Sequence, residues 1–541
     1  MAEVEAALTR VESQLGAADF ELFRRLVDTL VAVMAILNSS RAMLSRLRRL
    51  FGLQSSERSR DVLSDQADAA GDDSLQSTNA SDSDDALARS NEPPPNETPK
   101  GHGRLPSSVY KAATQVTLDH ESLKSGDQCP GCKSGKLYVL KEAARYLRIF
   151  GQPVLRGTCW NCQRLRCGSC GHVYTARPPP EARGPKFDET AVVMIALCRY
   201  SLGLPHNRLA KMQKHLKLPV PASTQWDLLR DSAPAFQPVF AELERHAAQG
   251  ELLHNDDTYA RLLAFMGERR AKLLQAGELP TPQRVGLFTT GVVSITDEQP
   301  TVLFYTGRKY AGENLATLLE ARDDNLDPPT LMSDGLESRN VPSGHTVVEA
   351  NCLTHARRGI VDQVANFPDE CRHIIEQLRE VYRIDAYCKK ESFSPAERLE
   401  KHQHDSAPIM TRLKEWLEEE LAQKRVEPNS DLGKAYKYML KRWVKLTLFL
   451  RKPGVPIDNN VCERALKMAI RHRRNSLFYR SERGAEIGDM FMSLIYTAEL
   501  RGENPFEYLT AVLQNHKAAR ECPGQWLPWT YRDTLARVGR V

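Results

Sequence analysis

Residues 252–258 read Leu252-Leu253-His254-Asn255-Asp256-Asp257-Thr258, a run that favours a β-strand and contains two adjacent carboxylates. We predict this strand over residues 251–256. Further along the chain, β-rich runs occupy residues 285–295, 302–306, 330–333 and 345–349. A helix is predicted at residues 312–321, between the third and fourth strands. The order β-β-β-α-β predicts an α/β sheet.

Two aspartates end strands of this sheet, Asp256 the first and Asp334 the fourth. In a mixed sheet these strands can be neighbours, as in a ribonuclease-H-like core, and both side chains would then project from one edge. Glu463 begins a helix that Asn460 can cap. Three carboxylates at one edge suit a pair of Mg²⁺ ions in phosphodiester transfer. Taken alone, however, an Asp at a strand end is more often a turn or cap residue.

Several longer motifs surround these carboxylates. They are Asn255-Asp256-Asp257-Thr258, Ser333-Asp334-Gly335, Cys352-Leu353-Thr354-His355-Ala356-Arg357-Arg358, Ile457-Asp458-Asn459-Asn460-Val461-Cys462-Glu463-Arg464-Ala465, Arg474-Asn475-Ser476-Leu477-Phe478 and Ser481-Glu482-Arg483-Gly484-Ala485. This set resembles the transposase family of insertion sequence 66. Residues 47–52, 101–104 and 527–529 also match, so the resemblance covers nearly the whole chain. The family usually has Ala-Asp-Glu-Thr at residues 255–258, which leaves Asp257 as an alternative to Asp256.

The resemblance implies a DDE-type DNA transposase with the catalytic residues Asp256, Asp334 and Glu463. These residues would bind two Mg²⁺ or Mn²⁺ ions per active site, cut the 3′ ends of the transposon and join them to target DNA. A ribonuclease-H-like nuclease or resolvase would cut without joining. A domesticated DNA-binding derivative is a further alternative, against which the presence of all three carboxylates argues. Two DNA ends suggest at least a homodimer, and a need for small accessory proteins stays open.

Six of the twelve cysteines form three CxxC pairs, Cys129/Cys132, Cys159/Cys162 and Cys167/Cys170. Two such pairs make a closed structural zinc site. The resemblance favours Cys129, Cys132, Cys167 and Cys170 as the Zn²⁺ ligands and leaves Cys159 and Cys162 as an alternative pair. A redox-active CxxC is the rival interpretation, but no thioredoxin-like βαβ pattern surrounds these pairs.

Residues 451–484 carry nine Lys or Arg against three acids. Lys467 and Arg471 follow Glu463 at steps of four residues, which puts them on one helix face, and Arg473 and Arg474 follow. Such a stripe beside a metal site predicts contacts with the DNA backbone. A second candidate DNA-binding cluster comprises His355, Arg357 and Arg358. Alternatively, the cations of the stripe pair with acids at residues 418–420.

A chain of 541 residues is too long for one compact domain, so a multidomain α+β protein is predicted. The predicted segments are a coiled-coil helix (1–55), a disordered acidic linker (56–104), a zinc-binding domain of the ribbon type (105–180), a helix-turn-helix-like helical domain (181–248), the first part of a ribonuclease-H-like catalytic core (249–359), a helical insertion (360–450), the second part of the core with the Glu463 helix (451–500) and a C-terminal tail (501–541). An amphipathic helix packed on its own protein is the alternative for the coiled coil. A plain helical bundle is the alternative for the helix-turn-helix unit, in which Ser223 would cap a third short helix.

No segment approaches the ~18 apolar residues that cross a bilayer. Glu3 and Glu5 stand where a signal peptide would be positively charged. We therefore expect a soluble cytoplasmic protein with no membrane partner. The resemblance implies that it is bacterial and associated with the nucleoid.

Overall fold

The computed structural model describes residues 125–128, 130, 136–137, 154–166, 173–182, 184–279, 286–297, 299–335 and 341–538. The chain divides into two compact units, Met1–Gly71 with Leu155–Val541, and Asp72–Val154. In the smaller unit an antiparallel bridge joins Gln128 to Lys136. The predictions that lie outside the described residues are the coiled coil (1–55), the acidic linker (56–104) and the zinc ligands Cys129, Cys132, Cys167 and Cys170.

In the larger unit a short hairpin, β1 (Arg164–Arg166) and β2 (Val173–Thr175), precedes three helices. These helices are α1 (Glu189–Ala196), α2 (His206–His215) and α3 (Ala222–Ala248). The third helix is 27 residues long, not short, because buried residues at helical spacing continue from Leu229 to Ala247. Ser223 is not its N-cap, since the helix begins directly after Pro221 and Ser223 lies in its first turn.

A five-stranded sheet follows, made of β3 (Leu252–Tyr259), β4 (Phe288–Thr296), β5 (Gln299–Gly307), β6 (Thr330–Ser333) and β7 (Val348–Asn351). The strand order is β5-β4-β3-β6-β7. Strands β3, β4 and β5 pair antiparallel, whereas β6 is parallel to β3 and β7 is parallel to β6. The five predicted strands are observed, and the predicted neighbourhood of the first and fourth strands is confirmed. The predicted order β-β-β-α-β is incomplete, because a further helix lies between the first and second strands.

Helix α4 (Gly267–Gln275) lies between β3 and β4, and α5 (Ala311–Leu319) lies between β5 and β6. The helical insertion then contains α6 (Leu353–Val361), α7 (Pro368–Lys390), α8 (Pro395–Lys401), α9 (Ala407–Ala422), α10 (Asp431–Lys441) and α11 (Trp443–Leu446). Its apolar side chains form one buried cluster with Met332 of β6 and Ala350 of β7. The insertion therefore packs directly on the parallel edge of the sheet.

Two long helices complete the core, α12 (Asn460–Ser476) and α13 (Glu482–Leu500). Helix α12 packs on the sheet where Gly291 of β4 leaves room for Leu466: a Cβ at Gly291 would lie 3.0 Å from the Leu466 side chain. Helix α13 covers the edge strand β5. Among the helices of the described residues, none combines the length and the apolar character needed to cross a membrane.

The C-terminal segment is folded and is not a tail over the residues that the structure describes. It contains α14 (Pro505–Gln514), α15 (His516–Glu521) and α16 (Tyr531–Val538). The aromatic side chains of Tyr508, Trp526 and Tyr531 are each at most 1% exposed. Their burial stabilises the segment against the rest of the unit, because large aromatic groups remove much apolar surface from water.

Candidate active site

The structure brings the three predicted carboxylates, Asp256, Asp334 and Glu463, to one edge of the sheet; we call them the carboxylate cluster. Asp334 directly follows β6, and the parallel pairing of His254 with Met332 aligns it with Asp256 on β3. Glu463 lies in the first turn of α12. Burial raises the pKa of Asp256 to about 7, and the charges of Asp334 and Glu463 contribute to the shift. Asp256 is therefore close enough to Asp334 and to Glu463 to be repelled by both charges.

Asp256 is not the last residue of its strand, because β3 continues to Tyr259 opposite Phe288 of β4. The neighbouring Asp257 points to the other face, as side chains alternate along a strand. The Thr290 hydroxyl donates to Asp257 Oδ1 at 2.5 Å, and the Ala311 backbone N–H donates to Oδ2 at 2.9 Å. Asp257 thus joins β3 to β4 and to the start of α5, and Asp256 is the aspartate that faces Asp334.

Asn459 joins the start of α12 to β3 through two side-chain hydrogen bonds. Its Nδ2 donates to the Asn255 carbonyl at 3.0 Å, and the His254 ring, through Nδ1, donates to its Oδ1 at 2.8 Å. Asn459 is fully buried, and burial lowers the pKa of His254 to about 4, so that ring is neutral. This contact fixes the position of the helix that carries Glu463.

Asn460 does not cap α12 with its side chain, contrary to the expectation from the sequence. It is the first residue of the helix. Its backbone N–H and its Nδ2 donate to Asp458 at 3.1 and 3.0 Å. The Asp458 carboxylate forms this local turn because an Asp side chain readily accepts from the backbone two residues further on.

The helical insertion holds the turn at Asp334. Tyr438 donates its hydroxyl to the Asp334 carbonyl at 2.6 Å, and the Arg442 guanidinium donates to the Gly335 carbonyl at 3.2 and 3.1 Å. Gly335 has φ +88°, and a Cβ there would lie 2.9 Å from both the Arg442 Nε and the Tyr438 hydroxyl. Only glycine suits this close turn.

Glu463 faces a second group of side chains on the first turns of α6. His355 Nδ1 lies 3.6 Å from Glu463 Oε1, and Arg358 lies 4.0 Å from Oε2. The ligand atoms of Cys352, His355 and Glu463 all lie within 4.8 Å of one another. Burial raises the pKa of the Cys352 thiol to about 11. The sequence analysis assigned no role to Cys352, although its Cys-x-x-His spacing with His355 was a usable signal.

The predicted DNA-binding cations differ in their surroundings. Lys467 and Arg474 are exposed. Arg471 donates to the Ser201 carbonyl at 3.3 Å, and Arg473 donates to Thr258 and to the Tyr259 carbonyl. These last two arginines therefore also join α12 to neighbouring elements.

Two predictions about the basic residues are wrong, and one further basic residue was not predicted. Arg357 is only 7% exposed, so its side chain faces the interior and does not suit a contact with DNA. The proposed pairing of the basic stripe with the acids at 418–420 is not observed, because Glu418 pairs with Lys414, and Glu419 and Glu420 pair with Arg425. Sequence analysis also missed Arg261.

Arg261 lines one shallow pocket with Arg473, Arg474, Tyr259 and Leu477. Basic and exposed apolar groups together are suited to a nucleic-acid strand.

Of the alternative zinc pair, Cys159 is exposed and Cys162 is half-buried.

The carboxylate cluster fits a hard divalent cation. Its donors are all carboxylate oxygens, which Mg²⁺ and Mn²⁺ prefer. Burial is the largest cause of the raised pKa of Asp256, and the negative charges of Asp334 and Glu463, for which a cation would compensate, add to it.

Comparison with known proteins gives a consistent assignment. The model of the transposase IS66 family matches residues 186–487, more than half of the chain. The uncharacterized protein y4hP of Sinorhizobium fredii is 25% identical over 440 residues, which cover 75% of this chain and 73% of that protein. The uncharacterized protein y4jD of the same organism is 34% identical over 187 residues, covering 34% of this chain and 36% of that protein. No solved structure matches the chain.

Proposed function

This chain belongs to the transposase IS66 family, and we propose that it cuts the 3′ ends of its transposon and joins them to target DNA. Membership of the family implies transposition. The observation that carries the finer proposal is the convergence of Asp256, Asp334 and Glu463, in which two charges contribute to the raised pKa of the third. Three antiparallel strands followed by two parallel ones also agree with a ribonuclease-H-like core.

In this proposal the carboxylate cluster holds two Mg²⁺ or Mn²⁺ ions. When bound, these ions would activate the attacking oxygen and stabilise the leaving oxygen of the phosphodiester. Asn459 positions Glu463 on its helix, and Tyr438 with Arg442 positions Asp334. These contacts prepare the geometry before DNA arrives, which is how a site lowers the cost of orienting its reactants.

Basic side chains around the cluster would hold DNA. Lys467 and Arg474 are exposed on α12, and Arg358 lies beside Glu463. His355 lies there as well. Contacts of this kind fix the backbone of the DNA without reading its sequence.

Further parts of the proposal concern the rest of the chain. Structural Zn²⁺ would be bound by Cys129, Cys132, Cys167 and Cys170, with Cys159 and Cys162 as the alternative pair. The helical domain would take part in recognising transposon ends, and the chain would act as at least a dimer because two ends must be joined.

The test incubates the purified full chain with Mg²⁺ and labelled element ends. The wild type should nick at the 3′ end and then form joined products, whereas Asp334→Asn should bind the ends without nicking. Asp324→Asn, at an exposed aspartate on the loop before β6, is the matched control and should nick normally. Nicking by Asp334→Asn at the wild-type rate would exclude the proposed site. Cut ends that are never joined would indicate a nuclease.

A further inference from the structure

Three side chains of different chemistry converge beside the carboxylate cluster. Cys352 is the residue before α6, His355 lies one turn into that helix, and Glu463 comes from α12. A thiol, an imidazole and a carboxylate whose ligand atoms all lie within 4.8 Å of one another offer three ligands to one ion.

The polar atoms of this group are incompletely satisfied. His355 Nδ1 and Glu463 Oε1 are both shielded from solvent without a hydrogen-bond partner, and they lie 3.6 Å apart. A cation bound by both atoms at about 2.0 Å would fit between them without moving either helix. The same cation would remove the cost of leaving both atoms unpaired.

Two features favour a negative charge on the Cys352 sulfur, although burial raises the pKa of the thiol to about 11. The Asn459 backbone N–H donates to Cys352 Sγ at 3.2 Å. The sulfur stands at the N-terminal end of α6, where the helix dipole favours negative charge. Both features stabilise a thiolate once a metal replaces the thiol proton, which leaves to solvent.

The donor set selects the kind of ion. Sulfur and imidazole nitrogen are ligands of Zn²⁺ and similar cations, whereas Mg²⁺ prefers oxygen. Three protein ligands leave a fourth tetrahedral position for water or substrate. The group therefore differs in metal preference from the carboxylate cluster, although the two share Glu463.

We propose that Cys352, His355 and Glu463 form a site for a thiophilic divalent cation of the Zn²⁺ type, and that its occupancy holds Glu463 against α6 and inhibits Mg²⁺-dependent cleavage. The second part rests on the proposed function. Zinc then acts as a competitor for one shared carboxylate.

The metal site is tested without any measurement of activity. The full chain is stripped of metal and titrated with Co²⁺, and the thiolate-to-cobalt absorption band and the cobalt content are measured. Because CxxC pairs elsewhere in the chain also bind Co²⁺, the comparison is between variants. Cys352→Ser should lose one thiolate-bound cobalt per chain, or bind it at least about tenfold more weakly.

Two variants make the result decisive. Cys371→Ser, at another fully buried cysteine, should keep the wild-type cobalt content. His355→Gln, whose side chain is 21% exposed, should lose the same cobalt as Cys352→Ser even if the cysteine variant folds poorly. Equal cobalt content and equal absorption in all four proteins would overturn the site.

The coupling to catalysis is tested with Zn²⁺ added to the Mg²⁺-dependent nicking reaction. Each protein is compared with its own zinc-free rate. Zn²⁺ should inhibit the wild type and Cys371→Ser, and it should inhibit Cys352→Ser and His355→Gln much less. Equal inhibition of all four would overturn the competition for Glu463. A chain that does not nick at all contradicts the proposed function, while the cobalt result still decides the metal site.

Discussion

Asp256 on β3 is half-buried and Asp489 on α13 is buried, and burial is the largest cause that raises the pKa of each to about 7. Their partners differ. Thr306 donates its backbone N–H and its hydroxyl to Asp489 at 2.5 and 2.7 Å. Asp256 accepts a hydrogen bond from the backbone N–H of Asp257, and the charges of Asp334 and Glu463 act on it.

The surroundings of Asp489 explain its role. Helix α13 presents Asp489, Ser493 and Thr497 at steps of four residues along β5; we call this contact the edge seam. Ser493 accepts from the Phe304 N–H at 2.9 Å, and Thr497 accepts from the Val302 N–H at 3.0 Å. The edge seam provides hydrogen-bond acceptors for backbone N–H groups of the edge strand β5, which would otherwise be unpaired. A raised carboxyl pKa thus marks a catalytic candidate only where unbalanced negative charge accompanies burial.

The most direct test of the difference between Asp256 and Asp489 is to neutralise each carboxylate in turn. Asp256→Asn should reduce Mg²⁺-dependent nicking by at least about a thousandfold, because Asp256 would be a ligand of the metal ions that act on the attacking and leaving oxygens. Asp489→Asn should leave the rate within about threefold of wild type, since its effect is on packing. The measurement is single-turnover nicking of labelled ends. Comparable losses of nicking rate in the two variants would contradict the proposed difference between a catalytic Asp256 and a structural Asp489.

A second test uses pH and stability. The pKa of Asp489 rises from its usual 3.8 to about 7 on folding. Such a group contributes stability that is complete below the lower value and is lost as the pH rises through the higher one. Wild type should therefore lose roughly 3 kcal/mol from this group between about pH 5 and about pH 8.

Thermal unfolding of wild type and Asp489→Asn over this pH range measures the effect. The variant should be less dependent on pH, and added Mg²⁺ should not change the difference, because the seam is closed to solvent. A pH dependence that is identical in both proteins would contradict this account of Asp489.

The smallest expected effect comes from removing one hydrogen-bonding side chain beside the carboxylate cluster and one in the edge seam. Asn459→Ala removes the partner of His254 and of the Asn255 carbonyl, which should cost about 2 kcal/mol and slow nicking by at least about tenfold. Thr497→Val removes a buried hydroxyl from the edge seam and is the matched control. It should destabilise similarly but nick normally, in assays well below its melting temperature. If the two variants nick at equal rates, Asn459 has only a structural role.

Much of the core could be predicted from sequence because its information is local. The β-rich runs predicted the five strands and the neighbourhood of the first and fourth, and the motifs around Asp256, Asp334 and Glu463 predicted the carboxylate cluster. The N-caps at Ser223 and Asn460 were wrong because a cap depends on where the chain bends. Here Pro221 and Asp458 set those bends.

Other features depend on partners distant in sequence. The group around Cys352 includes Glu463 from another helix, so the Cys-x-x-His spacing contains only two of the three proposed ligands. The role of Asp489 follows from the register of α13 along β5, which no pattern within either element contains. Likewise, nothing near Asp334 indicates that Tyr438 and Arg442 hold its turn.

The order of these residues along the chain has a consequence for synthesis. Asp334 and Glu463 are 129 residues apart, and the insertion that holds the Asp334 turn lies between them. A nascent chain on the ribosome carries both aspartates long before the glutamate has been translated. Premature termination anywhere in the insertion therefore yields a protein that lacks Glu463 and, under the proposed function, has no complete set of metal ligands.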